Sequence, residues 1–215
     1  MKKIILHLCA DIGSDSRFYD LSDEYEVIRI GEEIGVENYT PPANVHGVIA
    51  NPVCTDLSRA RIGGKARNID KGMFLVNHCL RIIDECNPVW WVLENPATGA
   101  LRTRLGAPKY EYQPWQYGSP WTKKTALWGN FNAPKPLFKN WEDVPKIAEL
   151  YIRKPYTQKD GKVRVSTKPA MILMHKSAKA HIREMDWASD RLNDDASLRS
   201  WCSQGFAKQF FNANR

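Results

Sequence analysis

"KGMFLVNHCLRIIDECNPVWWVLENP", residues 71–96, holds the decisive pair of elements. Residues 71–86 set Met73, Phe74, Val76, Leu80, Ile83 and Cys86 near helical spacing, with Lys71 before them and an Asn-Pro break after. "VWWVLENP" (89–96) is a continuous apolar run that ends in polar residues, the pattern of a strand buried on both faces. Upstream, "KKIILHLC" (2–9) reads as a strand followed by the turn "ADIGSDS". "YEVIRIG" (25–31) and "HGVIAN" (46–51) read as two more, and "TALWGNF" (125–131) as a later one. Strands alternating with helices imply an α/β fold: a mostly parallel sheet with helices on both faces.

Beyond residue 131 the character changes. "NAPKPLFKNWEDVPK" is proline-rich and loop-like, and "VRVSTKPAMILM" is strand-like around a "QKDGK" hairpin turn. Near the end, Asp194 or Asp195 caps a helix carrying Leu198 and Trp201, and a second helix begins near Gly205. The expected organisation is a core at 1–138, a small basic insertion at 139–190 and C-terminal helices at 191–215 that return to the core.

With 215 residues, 43% of them hydrophobic and 26% charged, the chain can bury a core of its own. Its five cysteines (9, 54, 79, 86 and 202) form an odd set without a CxxC pair, which argues against a disulfide framework or zinc ribbon and suits a reducing cytosol. His175 and His181 have no cysteine or carboxylate at metal-ligand spacing, so no metal is expected. No apolar run approaches the roughly 18–20 residues of a membrane span, and "MKKIILHLCADIG" lacks a signal-peptide cleavage site. A cytoplasmic location is expected. The net charge of +7 is concentrated. Residues 151–183 carry nine lysines and arginines against one acid, Asp160, a local charge of +8; the other 22 basic and 23 acidic residues leave −1. Such focusing suits a polyanion such as nucleic acid.

Ligands of an open parallel sheet bind at the carboxyl ends of its strands. Three loops leave such ends: "CADIGSDS", "NPVCTDLSRARIGGK" and "ENPATG". Cys54 and Glu94 lie on two of them and can face one another across a cleft, where a carboxyl group serves a thiol nucleophile as acid or base. Taken alone, Cys54 reads equally as a small buried hydrophobe. Trp90, Trp91, Cys79 and Cys86 read as core, while Trp115, Trp121 and Trp128 lie near the cleft as candidates for base stacking.

The order of these pieces resembles that of the cytosine-C5 DNA methyltransferases, and more closely of small phage-borne members of that family. "HLCADIGS" stands at the first S-adenosylmethionine loop and "ANPVCTDLS" at the Pro-Cys loop. "DKGMFLVNHCLRII" is similar to the following helix, "VLENP" to the Glu-Asn strand, "YGSPWTKKTALWG" to the Pro-Gln-x-Arg-x-Arg strand and "SQGFAKQFF" to the closing helix. The resemblance covers residues 4–131 in order and the C-terminal segment. It implies a Rossmann-like methyltransferase fold that moves a methyl group from S-adenosylmethionine to C5 of a cytosine flipped out of DNA. Cys54 would add to C6, and Glu94 would hydrogen-bond N3 and the exocyclic amine.

The resemblance further places Cys9, Ala10, Asp11, Ile12, Gly13, Glu32, Asn51, Pro52 and Gly205 around the cofactor. Ser58, Arg59, Arg61, Asn95, Lys123 and Thr125 would meet the substrate, and Arg153, Lys154, Lys162 and Arg164 the DNA. A phage-encoded enzyme protecting its own DNA from restriction fits this set. The recognition segment is small for the family, which implies either short or relaxed specificity or completion by a second subunit, a homodimer included. Departures are specific. Cys9-Ala10-Asp11-Ile12-Gly13 replaces Phe-x-Gly-x-Gly, and Trp121, Lys123 and Thr125 replace the family's Gln and two Arg. They keep three alternatives open: RNA or a nucleotide as substrate, another one-carbon donor, or a non-catalytic DNA-binding protein on the same fold.

Overall fold

A computed structural model describes residues 1–10, 12–59, 66–158 and 160–215. Four strands run parallel: β1 (Lys3–Leu8), β2 (Tyr25–Ile30), β3 (Val45–Ala50) and β4 (Trp90–Pro96). A short edge strand, β5 (Tyr110–Tyr112), pairs antiparallel with β6 (Thr125–Asn130), which is itself antiparallel to β4. The sheet order is β2-β1-β3-β4-β6-β5. This is the α/β, Rossmann-like arrangement the alternating strands and helices imply. The apolar runs are buried on both faces, as parallel strands require. Leu6, Leu8, Val48, Ala50 and Leu93 face one layer, and Ile5, Ile49, Val92 and Leu127 face the other.

The first layer is α2 (Ile69–Cys86), the second α5 (Gln204–Ala213) with the short α1 (Arg17–Asp20). Helix α2 starts earlier than its apolar period suggests because Asn68 caps it, its side chain accepting from Lys71 N at 3.0 Å. It stops where Asn87 turns left-handed (φ 43°) ahead of Pro88. Its buried stripe is Gly72, Val76, Cys79 and Ile83, with Ile82 beside it. Phe74, expected on that stripe, faces outward at 50% exposure, its ring 4.6 Å from that of His78.

Beyond β6 the chain folds mostly as turns. Residues 171–173, expected to be strand-like, form a 3-10 turn that buries Met171 and Met174. Two exposed two-residue strands, β7 (Tyr156–Thr157) and β8 (Val163–Arg164), pair antiparallel, and Gln158 N donates to Lys162 O between them at 2.8 Å. Leu150, Met171, Met174, Ile182, Met185 and Leu192 share one buried cluster with Ile12, Trp121, Leu198 and Trp201. Ile12 follows β1 and Trp121 precedes β6, so the basic insertion packs at the strand ends where a ligand would bind.

A buried carboxylate helps hold it there. Glu184 accepts from Ser119 Oγ (2.8 Å), Trp201 Nε1 (2.8 Å) and Gln204 N at the start of α5 (3.4 Å). Helix α4 (Asp195–Ser200) is capped by Asp194, which accepts from Ser197 N at 2.7 Å. The tail is tied back by Asn214, which exchanges hydrogen bonds with the Asn132 backbone and accepts from Tyr19. Among the described residues no helix is long and apolar enough to cross a membrane.

Candidate active site

Adjacent parallel strands β3 and β4 end together, and their exits are fastened to one another. After β3, Leu57 N (3.0 Å) and Ser58 N (2.7 Å) donate to the Cys54 carbonyl, which winds residues 54–58 into a tight turn. That turn buries Leu57 completely against Gly72 of α2, where a Cβ would come within 2.8 Å of the leucine. Leu57 O then accepts from Ala100 N (2.8 Å), just before α3 (Leu101–Leu105). Asn95 Nδ2 donates to Pro52 O at 3.0 Å, and Ala97 N to Lys124 O at 3.0 Å. Three loops distant in sequence thus form one hydrogen-bonded unit around Cys54.

The half-buried Cys54 thiol and Glu94 carboxyl interact electrostatically, and both titrate high. Burial raises the thiol pKa, the Glu94 carboxylate raises it further, and Lys123 opposes the rise. Burial likewise raises Glu94; the Lys123 charge and hydrogen bonds from Asn51 and Thr125 offset this in part, while Asp15 adds to it. Lys123 itself pays desolvation, yet the surrounding carboxylates of Glu94 and Asp15 leave its pKa raised. Its ammonium donates to the carbonyls of Ser200 (3.0 Å) and Trp201 (3.2 Å), which fixes it between the strand ends and the C-terminal helices. Thr125 is buried in the ladder opposite Pro96, its hydroxyl oxygen 2.9 Å from Lys123 O.

Asn51 extends the cluster toward β1. His7 Nε2 donates to Asn51 Oδ1 at 3.0 Å, and Asn51 Nδ2 donates to Asp15 Oδ1 at 3.3 Å. His7 Nδ1 lies 2.9 Å from Ser16 Oγ. Cys202 and Tyr112 complete the group; burial keeps both well above their ordinary pKa values, and Asp15 reinforces this. Sequence reasoning missed His7, Asp15, Cys202 and Tyr112. Asp15 alone had a local signal, lying in the loop that leaves β1.

The remaining expected residues are dispersed. Cys9 turns left-handed (φ 52°) and sets its sulfur 3.7 Å from Cys79 Sγ on the α2 side. A hydrogen bond from Cys79 lowers the Cys9 pKa. Ala10 N donates to Ile30 O (3.1 Å), and Ile12 is buried in the insertion cluster, with its carbonyl accepting from Arg191 (3.1 Å). Gly13 is left-handed (φ 78°), and a Cβ there would meet the Arg29 guanidinium at 2.5 Å. Glu32 is exposed in the turn after β2.

Gly205 meets a neighbour closely: a Cβ would lie 1.8 Å from Tyr117 O. Ser58 is buried and Arg59 exposed. Asp11 and Arg61 lie outside the described residues. Arg153, Lys154, Lys162 and Arg164 are exposed on and beside the β7–β8 hairpin, Arg153 stacking 4.0 Å from the Tyr156 ring centroid. Trp121 and Trp128 are buried in core clusters, so neither ring is presented to a base.

No family model matches the chain, and no curated protein matches it. Among solved structures it is similar to one described as a "putative DNA modification methyltransferase encoded within prophage Cp" (E. coli), at 15% identity and a TM-score of 0.41. The match covers 60% of this chain and 47% of the other, so the chain spans about half of that protein's length.

Proposed function

We propose that the protein methylates C5 of cytosine in DNA, with S-adenosylmethionine as donor, Cys54 as nucleophile and Glu94 as the activating acid. One observation carries the reading: a thiol and a carboxyl group on neighbouring strand ends, electrostatically coupled, with a lysine acting on both. Cytosine C5 is a poor nucleophile. Addition of sulfur to C6 makes C5 electron-rich, and the charge that develops on the ring must be met at N3. Glu94, whose burial favours its protonated form, is suited to donate there.

Burial raises the Cys54 pKa, so the thiol gives up its proton to solvent as the sulfur attacks C6, and Lys123 favours the thiolate that forms. After methyl transfer, loss of the C5 proton to solvent expels the Cys54 sulfur and restores the ring. When bound, the donor supplies an electrophilic methyl group on a cationic sulfonium centre.

The residue types present suit such a donor. Asp15 and Glu94 edge a small recess, about 10 Å³, whose other walls are Ile49, Val92, Leu127, Phe206 and Phe210. Carboxylates and aromatic faces suit a ligand that carries both an ammonium and a sulfonium charge. Asp15, Asn51 and Phe206 would hold it, with Glu32 available to ribose hydroxyls. The exposed basic hairpin would meet the DNA backbone.

The test is trapping on duplex DNA containing 5-fluorocytosine, whose C5 fluorine cannot leave as a proton. A covalent complex at Cys54 that requires S-adenosylmethionine is expected, and Cys54→Ala should not form it. Salt-sensitive binding by the wild type with no adduct would overturn the catalytic reading and favour a binding protein.

A further inference from the structure

The unit that carries Cys54 and Glu94 also gathers cations that the sequence scatters. Helix α3 follows the Glu94 strand directly and presents Arg102 and Arg104, each with about half of its side chain exposed (49%). Lys124 neighbours Lys123 in the chain, but its side chain leaves the cleft and is 52% exposed. Arg102 and Lys124 converge on one carboxylate, Glu111, the lysine at 2.7 Å. A single acid thus answers two bases.

Arg104 reaches Asp70 of α2 at 3.5 Å, but Asp70 is 92% exposed, and so weak a contact is largely screened. The Leu57–Ala100 hydrogen bond brings the turn bearing Arg59 against the start of α3, and Arg67 precedes the α2 cap that Asp56 supports. Among the described residues, Arg59, Arg67, Arg102, Arg104 and Lys124 therefore stand on this lip with the acids Asp56, Asp70 and Glu111.

We infer that this lip, centred on Arg102, Arg104 and Lys124, is a second phosphate-binding surface. It grips the backbone of the DNA whose target base enters the cleft. The inference rests on the DNA-methylating reading above. Its chemistry is that of phosphodiester neutralisation, which displaces condensed counterions and makes binding fall with salt. The lip belongs to the hydrogen-bonded unit of the reacting residues and is separate in sequence from the basic hairpin.

The experiment measures affinity for a short cytosine-containing duplex by fluorescence anisotropy over a series of salt concentrations. It compares the wild type with R102Q/R104Q and with Glu111→Gln, and follows folding by thermal unfolding. Each phosphate contact contributes about 0.9 to the slope of log K against log salt, so the double variant should lose about 1.8 of slope. Glu111→Gln should do the opposite, binding more tightly with a steeper slope, because it frees two cations from their shared acid. A general loss of structure cannot produce these opposite signs. Unchanged slopes in both variants, with the wild type binding DNA, would overturn the lip and leave the methylation reading standing. A wild type that binds no DNA, or binds only an RNA duplex of the same sequence, would overturn both.

Discussion

Replacing Gly205 by alanine should destabilise the protein, although alanine is the better helix former. Gly205 lies in the first turn of α5, and an added Cβ would sit 1.8 Å from Tyr117 O and 2.9 Å from its carbonyl carbon. Ordinary contact requires that the two backbones part by roughly 1.5 Å. Tyr117 has little room to move. Its ring is wedged against Phe206 and Tyr112, its hydroxyl donates to Pro134 O at 2.9 Å, and the next residue, Gly118, is left-handed (φ 96°). Overpacking costs about 1–3 kcal/mol, and so deep a clash with backbone lies at the upper end, about 2–3 kcal/mol, against which alanine recovers about 1 kcal/mol of helix propensity. The net loss of about 1–2 kcal/mol corresponds to a fall in Tm of roughly 2–8 °C for a chain of this size. Thermal unfolding followed by circular dichroism, with urea unfolding beside it, reads the difference directly. A Tm equal to or above that of the wild type would show that α5 does not pack on the Tyr117 carbonyl as described, and the place of Gly205 in the site would have to be rebuilt.

Three further outcomes follow from the same geometry. Leu57→Ala empties a fully buried position that joins the Cys54 turn to α2 and α3, and should cost about 2–5 kcal/mol in urea unfolding; a loss below about 1 kcal/mol would contradict that role. Because Lys123 lowers the Cys54 pKa and an ionised Glu94 raises it, Lys123→Met should slow alkylation of Cys54 by iodoacetamide near neutral pH, and Glu94→Gln should speed it at pH values where Glu94 is ionised. Peptide mass mapping assigns the rates, and a reversed order would sink the electrostatic account. Burial raises the pKa of Glu184 in the folded state. Between its ordinary value and the raised one, the folded protein holds the extra proton, so stability falls as pH rises through that window. Glu184→Gln should flatten this dependence above the ordinary glutamate value of 4.5, and an equally steep variant would refute it.

The strands were legible because continuous apolar runs leave little choice: Ile5, Leu6, Leu8, Val48 and Leu93 must all be covered, and only a sheet with layers on both faces covers them. Helix α2 was legible as an element but not in its facing. Phe74 satisfies the helical period nearly as well as Gly72 does, and it is Leu57 in the space a Gly72 Cβ would need that decides which side turns inward. Strand β5 was missed because three residues of "YEY" on an edge carry no hydrophobic run, and their place is set by the ladder from Tyr110↔Leu127 to Tyr112↔Thr125. Tyr112, Cys202 and Glu184 were invisible for a related reason. A buried polar residue is recognisable only by its partners, and those lie far away in the chain, as with Glu184 and Ser119.

Cys54 and Glu94 stand forty positions apart and become neighbours only because β3 and β4 are adjacent in the sheet, so the order of short motifs was a better guide to the pair than any local spacing. The same logic governs charge. Counted along the chain, everything outside residues 151–183 balances to −1 and offers no basic surface. The fold undoes that balance locally. It brings Arg102 and Lys124 to one acid and turns Lys123 inward, toward Glu94, while Lys124 turns outward. Two lysines adjacent in sequence thereby fall into different surroundings, one acting on the Cys54 thiol and the Glu94 carboxyl group and one facing solvent. A linear count cannot separate them, because the separation is made by the alternation of side chains where the chain enters β6.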